Sequence, residues 1–176
     1  MKHLILLCVT SCMVSPCVRA DNANAFPDKF ETFGKGTISG FQGDCVGRTG
    51  LCTIFSGGTM RGAMVGIATF TSAFTIDYAT YRSNGSGGGC AQASGDFEIT
   101  APSGTIHARQ VGFLCEIGAA GMSAHTFNAT FWIDPVMSTG RFSGASGSGT
   151  LTDNDDGPQG LKILNHLDGV ILKTNE

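Results

Sequence analysis

His125-Thr126-Phe127-Asn128-Ala129-Thr130-Phe131-Trp132-Ile133-Asp134 alternates without a break. His125, Phe127, Ala129, Phe131 and Ile133 share one face. Thr126, Asn128, Thr130, Trp132 and Asp134 share the other, which is mostly polar. Successive side chains of an extended chain point to opposite sides, so this stretch reads as an antiparallel strand with a core on one face and solvent on the other. Residues 73–82 repeat the pattern, with Phe74, Ile76 and Tyr78 set against Thr75, Asp77 and Ala79.

Short apolar or Thr-rich runs separated by Gly, Ser, Asn and Asp recur on both sides of these segments. The spacing predicts strands over 30–41, 51–56, 59–70, 73–82, 95–101, 104–115, 125–134, 139–152 and 161–172. No 12-residue window holds an apolar helical stripe free of Gly or Pro. Leu161, Leu164 and Leu167 do have helical spacing, but the Gly169-Val170-Ile171-Leu172 ending favours strand. Asn84-Gly85 within Ser83–Gly89, Pro102-Ser103-Gly104 and the acidic run Asp153–Gly160 read as turns or loops. Strands recurring about every ten residues describe a sandwich or an up-and-down barrel. Gly34, Gly36 and Gly40 in one strand, and Gly144, Gly147 and Gly149 in another, favour the barrel. There, sharp coiling and close backbone approach offset the weakness of glycine in a flat strand.

Composition narrows the class. The 176 residues include 26 Gly; 41% are hydrophobic and 14% charged, with a net charge of −3. Disorder requires fewer apolar residues and more charge. An acidic balance with pI near 5.7 excludes a nucleic-acid partner, which needs a surplus of Lys and Arg. No linker divides the chain.

The first twenty residues carry the marks of a secretory signal peptide. Met1-Lys2-His3 is a positive start, Leu4–Val9 is apolar, and Val18-Arg19-Ala20 is a cleavage site. Val9-Thr10-Ser11-Cys12 also resembles a lipobox, which would place the processing site at Cys12 instead. The expected organisation is a signal at 1–20 and one β-barrel domain at 21–176. The exported domain has no membrane-spanning segment, and its location is secreted or periplasmic. It keeps four of the seven cysteines, Cys45, Cys52, Cys90 and Cys115. An even number in an oxidising compartment implies disulfides. Nearest-neighbour pairing favours Cys45–Cys52 and Cys90–Cys115, and the lack of a close C-x₂₋₄-C pair argues against zinc.

Two further blocks carry a resemblance. Phe97-Glu98-Ile99-Thr100-Ala101-Pro102-Ser103-Gly104-Thr105-Ile106 is strand, turn, strand. Ser138-Thr139-Gly140-Arg141-Phe142-Ser143-Gly144-Ala145-Ser146-Gly147-Ser148-Gly149-Thr150-Leu151-Thr152 is followed by Leu167-Asp168-Gly169-Val170-Ile171. Their order resembles that of secreted bacterial proteins of the allene oxide cyclase-like barrel group, related in shape to dirigent proteins. The usual Asn-Gly-Asp turn of that group stands here as Pro102-Ser103-Gly104. The resemblance implies a single eight-stranded antiparallel barrel. It carries over no site residue, and fold alone does not give an activity.

Chemistry is thinly marked. There is no G-x-S-x-G elbow, no phosphate loop and no dinucleotide fingerprint, and no motif asks for a cofactor. His107 and Arg109 share a strand face. With Glu116 they are the candidate catalytic or anion-binding group. Tyr78, Tyr81 and Trp132 are the candidate lumen or contact aromatics, and His125 reads as a rim or core residue. Asp153-Asn154-Asp155-Asp156-Gly157 lacks the sixth-position Gly and late Glu of a calcium loop, so no metal site is expected. The function expected is a non-catalytic barrel holding a small apolar, lipid-like ligand. The alternatives are an isomerase or cyclase that shapes an apolar substrate, and a matrix protein that self-associates through its outer strands.

Overall fold

The alternating segments pair in chain order and close on themselves. The computed structural model describes residues 27–85, 87–117, 124–155 and 161–173. The strands are β1 (Asp28–Gly43), β2 (Leu51–Gly62), β3 (Gly66–Ser83), β4 (Gly89–Ala101), β5 (Gly104–Ile117), β6 (Ala124–Ile133), β7 (Ser146–Asp155) and β8 (Lys162–Leu172). Every neighbouring pair is antiparallel, and β1 pairs with β8, so the sheet is an eight-stranded closed barrel. Closure leaves no sticky edge. The expected leader at 1–20 and residues 156–160 of the acidic run lie outside the described residues.

The strand that decides the fold behaves as its alternation requires. Phe127, Ala129, Phe131 and Ile133 are buried, while Asn128, Thr130 and Trp132 are exposed. Phe74 and Phe127 stack at 4.8 Å, Phe70 and Phe97 at 5.4 Å, and Phe30 meets Phe131 edge-on at 5.9 Å. These rings pack inside the barrel. β8 also follows a two-residue period: Ile163, Asn165, Leu167 and Ile171 face inward and Leu164 faces out. The helical spacing of its leucines is not used.

Several boundaries differ from the sequence expectation; β4, for one, begins at Gly89 and not at Gly95. The nine segments resolve into eight strands because 51–56 runs on through Gly57-Gly58 to Gly62, and the chain then reverses at 63–65 rather than at Gly57. Glycine pairs Gly57 with Thr71 and Gly58 with Phe70 without breaking the ladder. The segment 139–152 starts as a strand only at Ser146. Its first part is a 3₁₀ turn, Gly140–Phe142, that drives Phe142 into the barrel end at 0% exposure. Asp153–Asp155 is strand, not loop.

That turn closes one end of the barrel, which we call the floor. Gly140 (φ +61°) and Gly104 (φ +142°) lie against each other. A Cβ on either would come within 2.9 Å of the other's Cα, so both positions require glycine. Arg141 N–H donates to Ser103 O at 2.9 Å, and Thr139 N–H to Thr105 O at 2.8 Å. The two blocks that carry the family resemblance therefore meet here. Val65, Ala145 and Met60 are buried at the same end.

The other end is the mouth, where odd strands finish and even strands begin. Cys45–Cys52 closes the β1–β2 loop, and Cys90–Cys115 joins facing positions of β4 and β5. The two disulfides indicate an oxidising, extracytoplasmic compartment. Among the described residues no helix is long and apolar enough to cross a membrane.

Candidate functional site

A cavity of about 310 Å³ occupies the mouth half of the barrel. Its walls are Ile38, Ile54, Phe74, Leu114, Phe127 and Ile163, and exposed Phe41 and Leu161 stand at its rim. Strand parity brings charge into these apolar walls. On β5 the inward side is Ile106, Ala108, Gln110, Leu114 and then Glu116. On β7 it is Leu151, then Asp153 and Asp155. On β6 His125 precedes Phe127 on the lumen side.

Asp155, His125 and Glu116 form a connected network with Arg48 and Tyr81. Asp155 Oδ1 accepts the backbone N–H of His125 at 2.7 Å, and its Oδ2 meets His125 Nδ1 at 2.7 Å. His125 Nε2 stands 4.0 Å from Glu116 Oε1. Glu116 in turn pairs with the Arg48 guanidinium and accepts the Tyr81 hydroxyl at 2.9 Å. The Arg48 guanidinium also lies over the Tyr78 ring, 5.8 Å from its centre. Burial raises the pKa of both tyrosine hydroxyls, and for Tyr81 the bond to Glu116 adds to it.

Arg48 reaches the mouth on a loop built for the purpose. The Asp44 carboxylate accepts the backbone N–H groups of Gly47, Thr49 and Gly50 and the Thr49 hydroxyl, at 2.6–3.1 Å. Those bonds hold its pKa below the ordinary value, the Thr49 hydroxyl most of all. Arg48 itself has φ +53°, a left-handed conformation uncommon outside glycine. Tyr78 N–H donates to Gly50 O at 3.0 Å and ties the loop to β3.

One layer below the network, Asp153 stands alone. Its Oδ1 is buried without a hydrogen-bond partner. Burial first, and then repulsion from Asp155, raises its pKa to about 7. Other interior polar atoms lack partners too: Thr32 Oγ1, Ser56 Oγ, Gln110 Oε1 and both amide atoms of Asn165. Ser56 and Asp153 both line the cavity.

The predicted site residues divide between two faces. Glu116 faces the lumen, but His107 and Arg109 face out, because their positions are odd where that of Glu116 is even. His107 lies 3.8 Å from Glu98, and Arg109 is flanked by Asp96 and Trp132. The three do not form one site. Trp132 is on the outer face, 46% exposed. Tyr78 and Tyr81 both pack against the core, although their numbers differ in parity, because the β3–β4 register shifts between Asp77 and Arg82. Among the described residues no three His, Cys, Asp or Glu side chains are placed to hold a metal.

The outer face carries a shallower hollow of about 340 Å³ lined by Ser39, Phe55, Thr71, Asp96, Glu98 and His107, among others. Phe33, Val111 and Phe113 are exposed elsewhere on the same surface. In comparisons with known proteins, no family model, no curated protein and no solved structure matches this chain.

Proposed function

We propose that this chain is exported by a leader at residues 1–20 and binds a small amphipathic molecule inside its barrel. The observation that carries the reading is the mouth cavity, with apolar walls and a few convergent polar groups, the usual make-up of a small-molecule site. At the ~30 Å³ a water takes up in the liquid, its volume suits roughly ten non-hydrogen atoms. A long lipid chain does not fit; a short-chain or single-ring amphiphile does. The finer fold assignment, to the allene oxide cyclase-like group, rests on the two sequence blocks, and their contact at the floor supports reading them as a unit.

A second reading, an isomerase or cyclase, is favoured by one feature: Asp153, Asp155, His125 and Glu116 converge on an apolar space, where proton transfer to a held substrate is feasible. Native mass spectrometry of the exported chain from its own host tests both readings. A copurifying amphiphile released on unfolding supports binding, and a bound pair of isomers supports turnover. Ligand-free protein that also takes up no added amphiphile would refute both.

A further inference from the structure

Asp153 is surrounded by groups that give it no counter-charge. On its own strand Asp155 stands two residues away. From β6, Phe127 is directly opposite and His125 lies toward the mouth. From β8 come Asn165, directly opposite, and Ile163; both amide atoms of Asn165 are themselves without partners. The rest of the cavity wall is Ile38 and Phe41 of β1, Ile54 and Ser56 of β2, Phe74 and Tyr78 of β3, and Leu114 of β5, with Arg48, Leu161 and the Cys45–Cys52 disulfide toward the mouth. The titratable or charged side chains lining this space are therefore Asp153, Asp155, His125, Arg48 and Tyr78, with Glu116 and Tyr81 next to them in the network. Glu116 takes up Arg48, and Asp155 holds His125. The charged neighbour that acts on Asp153 is the like charge of Asp155.

Three carboxyl groups thus share the mouth with one guanidinium and one imidazole. A carboxylate ligand would add a fourth negative group beside a buried acid. An alcohol would accept a hydrogen bond from protonated Asp153, yet bring no positive charge to let that carboxyl ionise beside Asp155. A protonated amine brings the missing charge and donors aimed at acceptor oxygens, and charge-assisted hydrogen bonds are about twice as strong as neutral ones.

Resting on the lumen-binding reading above, we propose that the cavity selects a small amphiphile with a protonated amine head, anchored on Asp153 with Asp155 beside it. The hydrocarbon part then lies among Ile54, Phe74 and Phe127. Binding takes Asp153 in its ionised form. Protonated Asp153 and the ammonium ion combine into a carboxylate–ammonium pair, and one proton leaves to solvent. Because the carboxyl titrates near 7, affinity rises with pH through that value.

Calorimetric titration of the full exported chain with n-octylamine, 1-octanol and octanoate at pH 5.5 and 8.5 tests this. Octylamine is expected to bind one to one, about 30-fold more tightly at pH 8.5, the ratio of ionised fractions for a group titrating near 7. Asp153→Asn should remove both the preference for amine and the pH step. Carboxyl-carbon NMR of the unmutated chain gives a second measurement: octylamine should lower the Asp153 pKa by a unit or more. Tighter binding of octanol or octanoate, an amine affinity indifferent to pH, or an unmoved Asp153 titration each overturns the amine assignment alone. Failure of all three probes to bind overturns the lumen-binding reading with it.

Discussion

Asp155 grips His125 twice, accepting the backbone N–H through one carboxylate oxygen and facing ring Nδ1 with the other, both at 2.7 Å. An ionised carboxylate only accepts, so Nδ1 carries the proton and Nε2 is turned toward Glu116. Asp155→Ala should cost about 1–3 kcal/mol of stability, the penalty for stripping partners from mostly buried donors. It should also weaken ligand binding by freeing the ring. Urea unfolding and titration of the same variant check both. An unchanged midpoint would mean that the pair holds nothing in place.

Asp153 makes stability depend on pH in an unusual direction. Its folded pKa of about 7 lies above the ordinary 3.8. Between those values the unfolded chain has released the proton and the folded chain still holds it, so stability falls as pH rises from about 4 to 7. At roughly 1.4 kcal/mol per unit, and with allowance for solvent reaching the carboxyl through the cavity, the loss is on the order of 2–4 kcal/mol. Asp153→Asn should be more stable than the parent at pH 8 and nearly equal to it at pH 4, as read from unfolding midpoints across that range.

Ser56 offers a cavity-filling test. Its hydroxyl is buried, unpartnered and in the cavity wall. Ser56→Val keeps a strand-compatible side chain, removes the unpaired oxygen and narrows the lumen. It should raise stability by about 1 kcal/mol while reducing ligand affinity. Gain in one measurement with loss in the other separates a site from a packing position.

The two disulfides should part company in the same assays. They span 25 residues for Cys90–Cys115 and 7 for Cys45–Cys52. Chain-entropy arguments give about 3.5 and 2.4 kcal/mol respectively. Replacing the first pair by Ser should show mainly in thermal unfolding. Replacing the second should show mainly in binding, because Cys45–Cys52 frames the loop that carries Arg48 to Glu116. The Asp44 carboxylate supports that loop above its lowered pKa and lets it go in strong acid, below about 3.8.

Floor glycines give the last test. Gly140→Ala places a Cβ 2.5 Å from Ser103 O and 2.7 Å from the Gly104 Cα, at a positive φ. Backbone on backbone cannot yield cheaply, so a loss of about 2–3 kcal/mol is expected by thermal or urea unfolding.

Much of the barrel could be read from alternation, because a half-buried strand must show it; 125–134 is the plainest case. The pairing of the four cysteines was legible for a different reason: short connections bring chain neighbours together. The site was harder. Glu116 could have been separated from His107 and Arg109 by counting parity along β5. Asp153 and Asp155 were hidden because acidic residues near Gly and Pro read as a turn; their match in parity with Leu151 was the available signal. The irregularity between Asp77 and Arg82, which brings Tyr78 and Tyr81 to the same side, has no period to betray it. Nor does a sequence show which acid will lack a counter-charge, since that depends on what seven other strands bring opposite.

Because Phe142 plugs the far end of the cylinder, the described residues leave the vessel open at the mouth alone. Whatever occupies it must back out before a successor moves in, and nothing can push from behind. If the proposed ligand fills the lumen, its residence time would depend on how readily the disulfide-clipped loop bearing Arg48 gives way, an arrangement that would suit carriage and slow release.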